Sequence, residues 1–148
     1  MSAAAEKSGI TEDQRASTLA RYEKHRRAWE SNAALRVLYA DWYGRIRAQL
    51  PSQSLGPFIE LGSGPGFANA FIPELRLSDI VVAPWHHQEI SADHLPFEPG
   101  TVGALVLVDV LHHLATPAAF WATIAASRSR RSSTARMAAS RLSALATA

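Results

Sequence analysis

Four carboxylates and one run of glycines are the residues of this chain best suited to chemistry. Glu60 lies in the apolar segment Phe58-Ile59-Glu60-Leu61, and Gly62-Ser63-Gly64-Pro65-Gly66 follows at once, with glycine at alternate positions. A glycine loop between a strand and a helix presents backbone N–H groups to a ligand, because no Cβ keeps the ligand away. A carboxylate at a strand end accepts hydrogen bonds from a cationic or hydroxylated ligand. Asp79 stands 19 residues after Glu60, a separation at which an acid commonly takes ribose hydroxyls in nucleotide sites. Asp93-His94 leads into Leu95-Pro96-Phe97, and Asp109 falls near the end of an apolar run, just before Leu111-His112-His113-Leu114. Dinucleotide binders use G-x-G-x-x-G, so the G-x-G-x-G spacing disfavours a nicotinamide-dependent oxidoreductase.

The paired histidines, His86-His87 and His112-His113, do not make a metal site. Neighbouring histidines on a strand point to opposite sides, and no H-x-x-x-H pair is present. The chain has no cysteine, which excludes disulfides, thiolate catalysis and cysteine zinc sites. An imidazole is the side-chain type suited to accepting a substrate proton near neutral pH, but neither His112 nor His113 is assigned that role.

The glycine stretch with its acid resembles motif I of class I S-adenosylmethionine-dependent methyltransferases. Asp93 with Leu95-Pro96-Phe97 resembles the D-A-x-x-L-P-F stretch of the type 11 subgroup, although here Ala92 precedes the acid. Val110-Leu111-His112-His113-Leu114 resembles the V-L-H-H-L form of motif IV in the same subgroup. The resemblance spans about residues 35–124. It implies a Rossmann-like α/β fold, S-adenosylmethionine as cofactor, and methyl transfer to a small-molecule acceptor. It also implies that Glu60 faces the amino-acid moiety across Gly62, Ser63, Gly64 and Gly66. Asp79 then binds ribose, Asp93 and His94 stand at the adenine end, and Asp109 lies in the same crevice. Such enzymes act mainly by positioning an electrophilic methyl group beside a nucleophile, so no catalytic side chain is expected.

The elements that must position these residues can be read in order. Residues 1–10 are expected to be disordered. Thr11 with Gln14 reads as a capping box for a helix to about Glu30. Ser31 is expected to cap a second helix to about Leu50, carrying Leu35, Leu38, Tyr39, Trp42 and Ile46 at helical spacing. Strands are expected over residues 58–61, 75–79, 88–92 and 102–110, with a short helix over 67–71. Thr116 and Pro117 are expected to start a helix as N-cap and first residue. The interval from Asp79 to Gln88 is too short for the usual crossover helix, so an abbreviated connection is expected there. Ligands in open α/β sheets sit at the carboxyl ends of the strands, which would aim all four acids at one crevice. The predicted sheet is parallel and incomplete, in the order 3-2-1-4, behind two N-terminal helices.

Length and composition fit one modest domain. The chain has 148 residues, 47% of them hydrophobic and 19% charged, a globular balance. No apolar run reaches about 18 residues, and the first ten residues lack an apolar secretory core. These features and the missing cysteines fit a cytoplasmic location without a membrane span. The net charge is +2, but residues 125–148 hold five arginines and no acid, which leaves −3 for residues 1–124. The body therefore lacks the basic face of a nucleic-acid binder.

Residues 125–148 read as a low-complexity Ala/Ser/Arg tail with no strand pattern. The domain is thus expected to be truncated after its fourth strand, as a frameshift or shortened reading frame would produce. Residues 104–108 would then form an exposed edge and promote self-association. The rival to an active enzyme is a non-catalytic remnant or interaction module that keeps a cofactor half-site.

Overall fold

The computed structural model describes residues 9–53, 56–114, 116–127 and 138–139. The segment 1–8 and most of the 125–148 tail lie outside the described residues, as does most of what was expected of them.

Helix α1 (Glu12–Ser31) begins at the expected capping box. The Thr11 hydroxyl accepts from the Gln14 N–H at 3.2 Å, and Gln14 Oε1 accepts from the Thr11 N–H at 2.8 Å. The reciprocal pair satisfies two donors that the first turn leaves free. Helix α2 (Ala33–Arg47) is capped by Asn32, not by the expected Ser31. Asn32 is extended, and its Oδ1 accepts from the Leu35 N–H at 3.1 Å. The Ser31 hydroxyl instead donates back to the carbonyls of Arg27 and Ala28, a local bond open to short polar side chains at the end of a helix. Helix α2 stops before the expected Leu50.

Five strands form one parallel sheet in the order β3-β2-β1-β4-β5. They are β1 (Phe58–Leu61), β2 (Leu75–Asp79), β3 (Gln88–Glu89), β4 (Ala104–Leu107) and β5 (Ala138–Ala139). The central strand β1 is in register with both neighbours: Glu60 lies opposite Leu77 and Val106, and Leu61 opposite Ser78 and Leu107. The carboxyl ends of three adjacent strands are therefore level. The loops that follow them, from Gly62, Ile80 and Val108, leave the sheet along one edge.

Both faces of the sheet are covered, as the continuous apolar strands require. Residues opposite one another across parallel strands share a face, so Glu60 points the same way as Leu77 and Val106. That face packs against Tyr43 and Ile46 of α2 and against Phe67, Ala68 and Ile72. The other face, with Ile59, Leu61 and Leu107, packs against Phe120 and Ile124 of helix α3 (Pro117–Ser127). Fully burying each of these large side chains stabilises the fold by roughly 1.5–3 kcal/mol. Leu95 and Phe97 join the second layer, so part of the L-P-F stretch is core.

Several expected bounds change. The helix after the glycine loop is a single 3₁₀ turn, Phe67–Ala70, held by Asn69 Nδ2 donating to the Leu75 carbonyl at 2.7 Å. Strand β3 covers two residues, not five, because Ser91 and His94 form a separate antiparallel bridge that turns the chain away. Strand β4 is shorter than residues 102–110: Asp109 has a left-handed backbone (φ 57°) that ends the extended run. The Asp79–Gln88 connection is irregular and carries no helix, as expected. Helix α3 starts at Pro117, with the Ala119 and Phe120 N–H groups donating to the Thr116 carbonyl.

The tail departs from expectation most. Ala138 and Ala139 pair in parallel with Val106 and Leu107, so the sheet continues past its fourth strand and that side of β4 is occupied at these two residues. The premise of a bare fourth-strand edge, and of self-association through it, is corrected to that extent. Among the described residues, no helix is long and apolar enough to cross a membrane.

Candidate functional site

The register that levels the strand ends places Glu60 and Asp79 on either side of the glycine loop, and both are buried, at 1% and 4% exposure. Gly62, Gly64 and Gly66 all have positive φ. Two of them have no room for a side chain. A Cβ on Gly62 would stand 2.5 Å from Val110 Cγ2, and one on Gly66 would collide with the Trp85 indole.

Asp79 holds the loop in shape. Its Oδ2 accepts from the Gly64 N–H at 2.8 Å and its Oδ1 from the Val81 N–H at 3.1 Å. Tyr22 of α1 faces this carboxylate; burial, and then the Asp79 charge, push its phenol well above the usual range. Ser63 is also committed to the scaffold. Its hydroxyl donates to the Glu60 carbonyl at 3.3 Å and accepts from the Ser78 N–H at 3.1 Å, while its own N–H reaches the Ser78 carbonyl.

Glu60 is placed differently. Its Oε1 accepts from the Tyr43 hydroxyl at 2.7 Å, and its Oε2 is buried without a hydrogen-bond partner. Burial pushes the Glu60 carboxyl up to about 7; the hydrogen bond from Tyr43 and then the Ser63 hydroxyl beside it oppose this, and the Asp79 charge adds to it. Tyr43 is pushed far above its ordinary value, first by its own burial and then by the Glu60 charge.

Sequence reasoning missed the group that covers the loop. The Gly64 carbonyl accepts from Trp85 Nε1–H at 2.8 Å and lies 2.8 Å from His86 Nε2. His86 Nδ1 accepts from the Ala83 N–H at 3.0 Å, so the neutral ring carries its proton on Nε2 and donates it to Gly64. Burial lowers the His86 pKa, since the charged ring would be poorly solvated there. Arg26 of α1 donates from Nη1 to the Pro65 carbonyl at 2.7 Å, and its guanidinium lies 4.4 Å from the Trp85 ring centroid. Between α1 and the loop is a cavity of about 280 Å³ lined by Arg26, Trp29, Glu30, Gly66, Phe67 and Ala70. The one available signal was the Trp85-His86 pair inside a connection too short for a helix.

The remaining expected residues are less closely gathered. Asp109 stands at the rim, beside the Val110 that abuts Gly62. Its side chain is 80% exposed, with Oδ1 at 3.3 Å from His112 Nδ1. Tyr39 senses both acids: after its own burial, the charges of Asp109 and Glu60 raise its pKa. Asp93 and His94 are exposed on the turn after β3, where the Asp93 N–H donates to Ser91 Oγ at 3.3 Å. No contact among the described residues ties them to Glu60 or Asp79. Nor does any group of three or more His, Asp or Glu among the described residues suit a metal ion.

Comparison with protein-family models, curated proteins and solved structures gives no match.

Proposed function

We propose that this chain is a Rossmann-like S-adenosylmethionine-dependent methyltransferase acting on a small-molecule acceptor. The observation that carries this reading is the pair of buried acids, Glu60 and Asp79, near the ends of adjacent strands and two residues apart in register, around a loop of three positive-φ glycines. The residues present fit the cofactor. Glu60 Oε2 is a buried acceptor without a donor, which suits an ammonium group. Beside Gly66 the Trp85 indole lies where a Cβ would be, so a flat group reaches the backbone there by taking the place of the indole. Each Asp79 oxygen accepts one backbone N–H and Tyr22 adds a side-chain hydrogen bond; a carboxylate has about four lone-pair sites, so about one remains for a ribose hydroxyl.

When bound, the cofactor supplies an electrophilic methyl group on sulfur. The chain's own work is then binding and orientation. Glu60 holds the cationic end, Asp79 the hydroxylated end, and the loop sets the distance between them. The layers over both faces of the sheet keep water from Glu60. Asp93, His94 and Asp109 would serve only at the outer margin of such a site.

One observation favours a second reading, a binding module without turnover. Trp85 and Arg26 already lie against the glycine loop and use the carbonyls of Gly64 and Pro65. Calorimetry with S-adenosylhomocysteine and with NAD separates the ligand classes. Binding of the former alone supports the proposal, and binding of NAD alone overturns it. Methyl release from S-adenosylmethionine then separates enzyme from binding module.

A further inference from the structure

Glu60 would be an ordinary buried acid were it not for the way one of its oxygens is occupied. Tyr43 comes from α2, on the sheet face that Glu60 shares with Leu77 and Val106. Its ring is stacked on Phe71, with centroids 5.6 Å apart and planes at 13°, and only 4% of the residue is exposed. The hydroxyl therefore has a fixed position, and it donates to Oε1 at 2.7 Å. Oε2 is left buried and without a partner. Among the described residues, no lysine, arginine or histidine forms an ion pair with Glu60; the ion pairs of those residues all lie elsewhere. The charge that acts on it is a like charge, Asp79. Protonation does not complete the site: a proton on Oε2 would have no acceptor, and one on Oε1, given to the Tyr43 oxygen, leaves Oε2 still without a partner. A donor from outside, carrying positive charge, satisfies the ionised form directly.

We infer that Tyr43 is a positioning residue which, by engaging one oxygen of Glu60, aims the other at an ammonium group and makes the site selective for nucleosides that carry an amino-acid moiety. This rests on the methyltransferase reading for the identity of the nucleoside. It adds a residue from outside the glycine loop and a specificity that the loop alone does not supply. A glycine loop and a ribose-binding acid accept any adenosine thioether, whereas an oriented, dry carboxylate penalises one without the amine.

The test compares two ligands on two proteins. S-adenosylhomocysteine carries the amino-acid moiety, and 5′-methylthioadenosine lacks it. Tyr43→Phe keeps the stacked ring and removes only the hydroxyl. Calorimetry should show the variant binding S-adenosylhomocysteine about tenfold or more weakly, the loss expected for a hydrogen bond to a charged group, with 5′-methylthioadenosine within about twofold of the parent. Equal weakening of both ligands, or of neither, overturns the inference.

If the parent chain binds neither nucleoside, the methyltransferase reading fails on its own. The Tyr43–Glu60 relationship is then decided without ligand, by carbon-13 NMR titration of the Glu60 carboxyl in parent and variant. Loss of the hydroxyl should raise its midpoint above about 7, because a bond to the charged form has gone. An unmoved midpoint means that Tyr43 does not hold Glu60, and the inference falls.

Discussion

Trp85 donates its indole N–H to the carbonyl of Gly64 at 2.8 Å, from a ring that lies where a Cβ on Gly66 would be. The side chain uses the gap that the glycine leaves, and Arg26 steadies it from α1. In the proposed site this is the ground a cofactor must occupy, so ligand entry has to displace the indole. Trp85→Ala should therefore strengthen S-adenosylhomocysteine binding at least about fivefold, since the closed form loses a hydrogen bond and a cation–π contact. Titration calorimetry reads this directly. Weaker binding would mean that the indole is part of the ligand seat.

The buried Glu60 makes stability depend on pH. Its carboxyl titrates at about 7 in the folded chain, against 4.5 ordinarily. Between those values the folded chain keeps a proton that the unfolded chain has released. Stability from this group is full below about 4.5 and is lost as pH rises through about 7, a change on the order of 3 kcal/mol. His86 works in the opposite sense. Its lowered pKa means that its contribution is lost as pH falls below the ordinary histidine range. Glu60→Gln should remove the loss on the alkaline side and leave the acid side unchanged. Urea unfolding at pH 5 and pH 8 measures both arms.

Gly62 is constrained twice over, by a φ of 67° and by Val110 Cγ2 at 2.5 Å from any added Cβ. Left-handed backbone alone costs a non-glycine residue roughly 1–2 kcal/mol. Gly62→Ala should destabilise by at least about that much, and Val110→Ala in the same chain should recover the steric part but not the backbone part. Equal stability of parent and Gly62→Ala in chemical denaturation would contradict this geometry.

Asp79 accepts two backbone N–H groups, one from the loop and one from the segment after β2. An asparagine has only one acceptor atom, and its amide would face one of those donors. Asp79→Asn should destabilise by about 1–3 kcal/mol and speed amide exchange at Gly64 and Val81 above the rest of the sheet. Uniform exchange across the sheet would show that the carboxylate does not hold the loop.

How far the sequence reached depends on how local each signal was. The capping box at Thr11 needs only residues three apart, and it was legible. So were β1 and β2, whose apolar runs and closing acids are local, and the irregular Asp79–Gln88 connection, which chain length alone imposes. Ser31 and Asn32 are both good caps; the first helix runs on through Ser31, and the extended backbone falls at Asn32, which therefore caps the second. Asp79, Asp93 and Asp109 were all expected at one crevice, with Asp79 at the ribose and Asp93 at the adenine end. Strand length set them apart, as β3 ended after two residues and left Asp93 in solvent. The two alanines of β5 carry no strand pattern of their own; Val106 and Leu107 of the neighbouring strand supply the ladder.

Backbone freedom and side-chain type belong to single residues, and they were enough to specify a strand, a glycine turn and two acids 19 positions apart. Which oxygen of Glu60 stays open was decided only by tertiary structure. That outcome depends on Tyr43, 17 positions earlier, reaching the same face of the sheet, a matter of strand register and helix packing that no local pattern encodes.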